Sequence, residues 1–151
     1  MIALTLAANQ EHAAALPEWW WEAYSKNVTE ALTLEGPGQI IVAELSGRPA
    51  GSVLLLPAEA YVSGWPEVRL LAVDREARGR RVASALMAEC LRRARLTGAA
   101  AIGLHTMEVM TAARRMYERL GFVRAPEFDF YPVGGLVVQG YRLDLNPGAG
   151  P

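Results

Sequence analysis

Cysteine occurs once in this chain of 151 residues, at Cys90, and lysine once, at Lys26. A single thiol excludes an internal disulfide and a cysteine-built zinc site. Its place in an apolar helical stripe makes it a core side chain. Positive charge therefore rests on arginine and nearly balances the acids: 15 Lys and Arg stand against 16 Asp and Glu, for a net charge of −1. So small a charge excludes a general binder of nucleic acid or of an anionic membrane surface, because both partners demand a large basic excess. No apolar run approaches the roughly 18 residues of a membrane-spanning helix, and no basic stretch followed by an apolar one opens the sequence. These absences lead us to expect a soluble, cytoplasmic protein. Also missing are the G-x-x-x-x-G-K-[ST] run of nucleotide phosphate loops, the G-x-G-x-x-G run of dinucleotide sites, and any metal-ligand spacing.

Apolar material is plentiful, at 52% of residues, enough for one domain with a real core. We expect that domain to span 1–145 and the Pro/Gly-rich 146–151 to be a disordered tail. "IALTLA" reads as a first strand. "NQEHAAALPEWWWEAYSKNVTEAL" reads as one or two helices, with Pro17 placed to open the second. "QIIVAEL" and "PAGSVLLLPA", separated by Ser46-Gly47-Arg48, make a hairpin. The near-continuous apolar run of "EVRLLAV" suggests a strand buried on both faces. Val82, Leu86, Cys90 and Ala94, with Ala85, Met87 and Leu91 beside them, keep a 3.6-residue period opposite Arg92, Arg93 and Arg95, which marks an amphipathic helix. "AAAIGLHT" is another strand. Val109, Ala113, Met116 and Leu120 line a second helix stopped by Gly121. "FDFYPV", Gly134-Gly135 and "LVVQGYRLDL" form a closing hairpin. The order is that of an α+β (mixed α/β) sheet with a strand-turn-helix unit at its centre.

That central turn carries the first chemical signal. A strand that enters a helix through a tight turn aims the helix's first unbonded amides off the strand end, where they and the helix dipole attract an anion. Arg78, Gly79, Arg80 and Arg81 add charge and a close backbone approach. Two readings stand for these residues alone: a phosphate site, or a solvated basic connection.

"LLAVDREARGRRVASALM" resembles motif A of the GNAT superfamily of acyl-CoA-dependent N-acyltransferases, whose signature is [RQ]-x-x-G-x-[GA] at a strand-turn-helix junction. "LHTMEVMTAARRMYERLGFVRA" is similar to motif B of the same family, especially Tyr117 followed by Gly121-Phe122. The resemblance covers nearly the whole chain. It implies a GNAT-like fold: a central, twisted, mostly antiparallel sheet with a splayed parallel strand pair, flanked by helices. Arg78 matches the first signature position and Ala83 the last, but Arg81 occupies the inner glycine position. In motif B, Met110 stands where an Asn is frequent.

The resemblance implies acetyl-CoA as cosubstrate, no metal, and an N-acetyltransferase acting on a primary amine in a direct ternary complex. Leu71, Ala72 and Val73 would pair with the pantetheine arm, and Arg78, Gly79, Arg80, Arg81, Val82, Ala83 and Ser84 would hold the pyrophosphate. An ammonium has no lone pair, so the acceptor needs a base. Glu67 begins the cofactor-facing strand where some family members carry a catalytic glutamate; its other reading is a solvated strand-end charge. Tyr117 falls where the family protonates the departing thiolate, or else serves as a buried aromatic. His105 is a hydrogen-bonded structural histidine ahead of an acceptor-facing one, and His12 has no partner legible in sequence. Three successive tryptophans, Trp19 to Trp21, cannot share one helix face. At least one is exposed or lines a cavity, through an acceptor pocket or through core packing plus a homodimer contact. The competing function is an acyl-CoA-binding sensor or interaction module without turnover.

Overall fold

The computed structural model describes residues 1–33, 36–60, 63–132 and 135–145. The expected tail at 146–151 and the Gly134 turn lie outside the described residues. The chain opens not with a strand but with helix α1, Ile2–Asn9. A mostly apolar run of six residues does not separate strand from helix. Three alanines and two leucines favour the helix, whose buried residues, Thr5 and Ala8, lie three apart. A 3₁₀ turn, Gln10–Ala15, leads past Pro17 into α2, Glu18–Thr33. There Trp19 is 37% exposed and Trp20 is buried, with Trp20 stacked on Tyr24 one turn later at a centroid distance of 5.0 Å.

Strands β1, Gln39–Leu45, and β2, Arg48–Leu56, pair antiparallel. Ser46 and Gly47 join them with φ of 52° and 76°, the left-handed pair that a two-residue hairpin turn demands. Strand β3, Glu67–Val73, feeds a short 3₁₀ turn and then helix α3, Val82–Leu96. Val82, Leu86, Met87, Cys90, Leu91 and Ala94 are buried, as the period requires, whereas Ala85 is exposed. Burial also pushes the Cys90 thiol up to about 12. Strand β4, Ala101–Thr106, precedes α4, Thr111–Arg119. Val109 lies ahead of that helix and is exposed. Gly121 ends it at φ 99° with its amide on the Glu118 carbonyl.

The closing hairpin is corrected. Phe130 and Val138 make only an isolated bridge. The ladder partners of β6, Gln139–Asp144, are β4 and the two-residue β5, Val123–Arg124. The six strands are ordered β1-β2-β3-β4-β6-β5, mostly antiparallel, with one parallel pair, β3 with β4. Helices flank the sheet, as the resemblance implies.

The residues group into two compact units, the first Met1–Leu55 with Leu70–Ala88, the second Leu56–Arg69 with the chain from Glu89 onward. In the first, a Cβ on Gly51 would lie 2.8 Å from the Ala72 carbonyl oxygen and 2.9 Å from Val82 Cγ1. The missing side chain thus lets β2 seat both the end of β3 and the start of α3. In the second, Val68, Ile102, Leu104, Phe122 and Tyr141 are buried, each contributing about 1.5–3 kcal/mol when fully buried.

Candidate active site

In the first unit the site candidates form one continuous segment. Leu71, Ala72 and Val73 end β3, and the Asp74 amide that follows donates to the Ala50 carbonyl at 2.8 Å. The turn from Arg78 to Arg81 is exposed. Gly79 and Arg81 both have left-handed φ, 78° and 61°. For Gly79 that conformation costs little. For Arg81, at the inner glycine position, it is strained. The Ala85 amide donates to the Arg81 carbonyl at 3.1 Å, which closes the first turn and leaves the amides of Val82, Ala83 and Ser84 without a helical acceptor. An open set of donors at the positive end of a helix of 15 residues suits an anion.

Arg78 is engaged elsewhere. Its Nη2 lies 2.9 Å from Glu11 Oε1 and donates to the Ala8 carbonyl at 3.0 Å, and its Nη1 donates to Glu11 Oε2 at 3.1 Å. The guanidinium holds the Glu11 carboxyl below the usual carboxylate range. Nothing local in the sequence announces this pair, whose members are 67 residues apart. His12, for which no partner was legible, has Nε2 at 3.9 Å from Glu11 Oε1.

In the second unit Glu67 is no solvated strand-end charge, because it is 1% exposed. Its Oε1 meets His105 Nδ1 at 2.5 Å, and His105 Nε2 donates to the Phe128 carbonyl oxygen at 2.8 Å. The parallel register sets Glu67 beside Gly103 and Val68 beside Leu104, which carries His105 into reach. A Cβ on Gly103 would lie 2.6 Å from Trp65 Nε1 and 2.9 Å from Glu67 Oε2, so this glycine makes the space the carboxylate fills. Burial works against a charge on His105. The Glu67 hydrogen bond, its negative charge and the Phe128 carbonyl outweigh that cost, and His105 sits above its ordinary value.

The Phe128 carbonyl belongs to a braced loop. Arg124 grips Asp129 with both terminal nitrogens at 2.7 Å and also donates to the Gly140 carbonyl, while the Gly140 amide donates to Asp129 Oδ1 at 2.7 Å. The arginine holds the Asp129 carboxyl below its ordinary value. Sequence reasoning missed this brace and the roles of Gly103 and Trp65. An Arg and an Asp five apart flanking Pro126 was the only signal.

Tyr117 is buried, its ring edge-on to Phe122 at 6.0 Å. Met110 ends at a thioether that accepts from the Thr106 hydroxyl at 3.6 Å, so a local contact occupies the position where the family often has Asn. Among the described residues no group of three His, Cys, Asp or Glu side chains could hold a metal ion, and no helix is long and apolar enough to cross a membrane.

A family model described as the acetyltransferase (GNAT) family matches residues 6–122. N-acetylaspartate synthetase of Danio rerio is 35% identical over 95 residues, 63% of this chain and 33% of that protein. The chain thus spans about a third of the length of the curated relative it matches. An acetyltransferase of the GNAT family from Staphylococcus aureus superposes with a TM-score of 0.70 at 17% identity, covering 95% of this chain and 90% of its own. A Bacillus anthracis protein solved in complex with acetyl coenzyme A superposes with a TM-score of 0.63 at 21% identity, covering 74% of this chain and 65% of its own. At such identities the two structures carry the fold alone.

Proposed function

This chain belongs to the acetyltransferase (GNAT) family, and on that premise we propose that it transfers an acetyl group from acetyl-CoA to a primary amine by direct attack of the amine on the thioester. The observation that carries the reading is the start of α3, where the Val82, Ala83 and Ser84 amides lack helical acceptors behind an exposed, arginine-rich turn. Acetyl-CoA supplies the acetyl group as a thioester, and its pyrophosphate is an anion of the kind such amides bind. Gly79 to Ser84 hold the phosphates through backbone donors, Arg80 and Arg81 add charge, and backbone groups of Leu71, Ala72 and Val73 hold the pantetheine arm. Arg78 joins them only by exchanging Glu11 for phosphate.

Glu67 removes the acceptor's proton, directly or through water, since an ammonium cannot attack. Tyr117 gives a proton to the departing thiolate. Aspartate heads the panel of acceptors, because the zebrafish relative is an N-acetylaspartate synthetase.

Thiol release from acetyl-CoA, followed across amino acids, polyamines, aminoglycosides and peptide N-termini, tests the reading. We expect release that depends on one class of amine, together with a melting transition raised by acetyl-CoA by the equivalent of about 2.7 kcal/mol at 100 times the dissociation constant. Binding without amine-dependent release from any acceptor class would leave an acyl-CoA-binding module. Absence of any shift at millimolar acetyl-CoA would remove the cosubstrate.

A further inference from the structure

Resting on Glu67 as the base proposed above, we infer that His105 is its positioning residue: a cation donating from both ring nitrogens that fixes the carboxylate for proton abstraction. His105 Nε2 lies 2.8 Å from the Phe128 carbonyl oxygen. A carbonyl only accepts, so Nε2 carries a hydrogen. Nδ1 lies 2.5 Å from Glu67 Oε1. A neutral ring protonated at Nε2 alone would turn a bare lone pair toward the carboxylate at that distance. Ring and carboxylate therefore hold one proton between them, and with that proton on Nδ1 they form an imidazolium–carboxylate pair.

Both ends of this chain of contacts are anchored. The Phe128 carbonyl sits in the loop braced by Arg124, Asp129 and Gly140. Gly103 leaves Glu67 Oε2 room that a methyl group would take, with the Trp65 indole as the other wall. Among the described residues, charged and neutral groups meet the ring from several sides. Glu67 on β3 favours the cation and Arg69 on the same strand opposes it. Asp129, beyond Phe128, couples favourably to it. The Phe130 ring lies 5.2 Å away and is neutral, Gly140 stands opposite His105 on β6, and β4 carries no other titratable side chain.

In the transfer, the neutral amine nitrogen forms the C–N bond, the C–S bond breaks with its electron pair leaving on the CoA sulfur, which takes a proton from Tyr117, and the proton lost from the amine nitrogen passes, directly or through water, to Glu67. Nδ1–H remains on the ring throughout. Because His105 is raised above its ordinary value, the cation and its hold on Glu67 persist below that raised value and are lost as pH rises through it.

The test is the ratio of wild-type to His105→Gln turnover measured against pH with one amine, so that the acceptor's own ionisation cancels. We expect a ratio of about 10 to 100, the cost of a misplaced reacting group, at low pH. It should shrink toward unity as pH rises through the titration of His105 followed by ¹⁵N NMR, with the KM for acetyl-CoA unchanged. A ratio that stays flat with pH overturns the proposal. Glu67→Gln separates this failure from failure of the base assignment: a slow Glu67→Gln enzyme with a flat His105 ratio rejects only the role of His105, whereas full activity of Glu67→Gln rejects the base. If His105→Gln does not fold, the wild-type and Glu67→Gln spectra decide. His105 should titrate above about 6.5 in the wild type and lower in Glu67→Gln, and an unmoved value overturns the pair.

Discussion

Replacing Arg81 by glycine should stabilise the protein. Arg81 has φ 61°, and left-handed backbone costs a residue with a Cβ about 1–2 kcal/mol. Glycine removes that cost but gives the unfolded chain more freedom, worth about 0.5–1 kcal/mol against it. The balance is a gain on the order of 0.5–1 kcal/mol. At about 2–4 °C per kcal/mol for a chain of this size, the melting temperature should rise by roughly 1–4 °C. Thermal unfolding followed by circular dichroism reads this directly. Gly79→Ala is the matched opposite: φ is 78° and nothing lies within 4 Å of the added Cβ, so backbone strain less the unfolded-state term should lower the transition by about 1–4 °C. The second readout is CoA affinity at two salt concentrations. If the Arg81 side chain grips a phosphate, Arg81→Gly should weaken binding by up to about fivefold, the worth of one exposed charge pair, and should flatten its salt dependence. A lower melting temperature for Arg81→Gly would refute the backbone argument, and tighter CoA binding would show that the side chain obstructs the turn.

Three further outcomes are expected. Gly103→Ala should cost about 1–3 kcal/mol of stability through overpacking, because the new methyl meets Trp65 Nε1 and Glu67 Oε2, and should slow turnover as well; wild-type melting and turnover together would show that Glu67 is not confined there. Glu11→Gln should cost less than about 1 kcal/mol, since the pair it breaks is half exposed, yet tighten CoA binding by releasing Arg78. Calorimetry showing weaker binding would make Glu11 a support of the site instead of a competitor. Asp129 has a lowered folded value, so its contribution is present above the ordinary carboxylate range and fades as pH falls through the lowered value. Asp129→Asn should therefore cost about 1.5–3 kcal/mol at pH 7, as for a hydrogen bond to a charged group, and distinctly less near pH 2. Equal losses in urea unfolding at both pH values would refute the linkage.

Much of the fold was legible because it rests on local periodicity and punctuation. The Val82–Ala94 stripe, the Ser46-Gly47 turn, the Gly121 stop and the strand Glu67–Val73 each declare themselves within a few residues, and the turn between β3 and α3 does so with enough character to carry the family. Where local signals were degenerate the reading failed. Ile2–Asn9 satisfies the strand and helix periods equally over so short a run, and the segment after Phe128 offered a hairpin whose partner strand was instead Val123–Arg124. The candidate site divides the same way. Residue types and their order along the chain marked Glu67, Tyr117 and the Arg78–Ser84 turn. Only tertiary structure buried Glu67 against His105, turned Arg78 onto Glu11 and braced Phe128 with Asp129. Those contacts depend on parallel strand register and on pairings up to 67 residues apart, which no local pattern encodes, because a side chain's charge and partners in the folded state are set by whatever the rest of the chain packs around it.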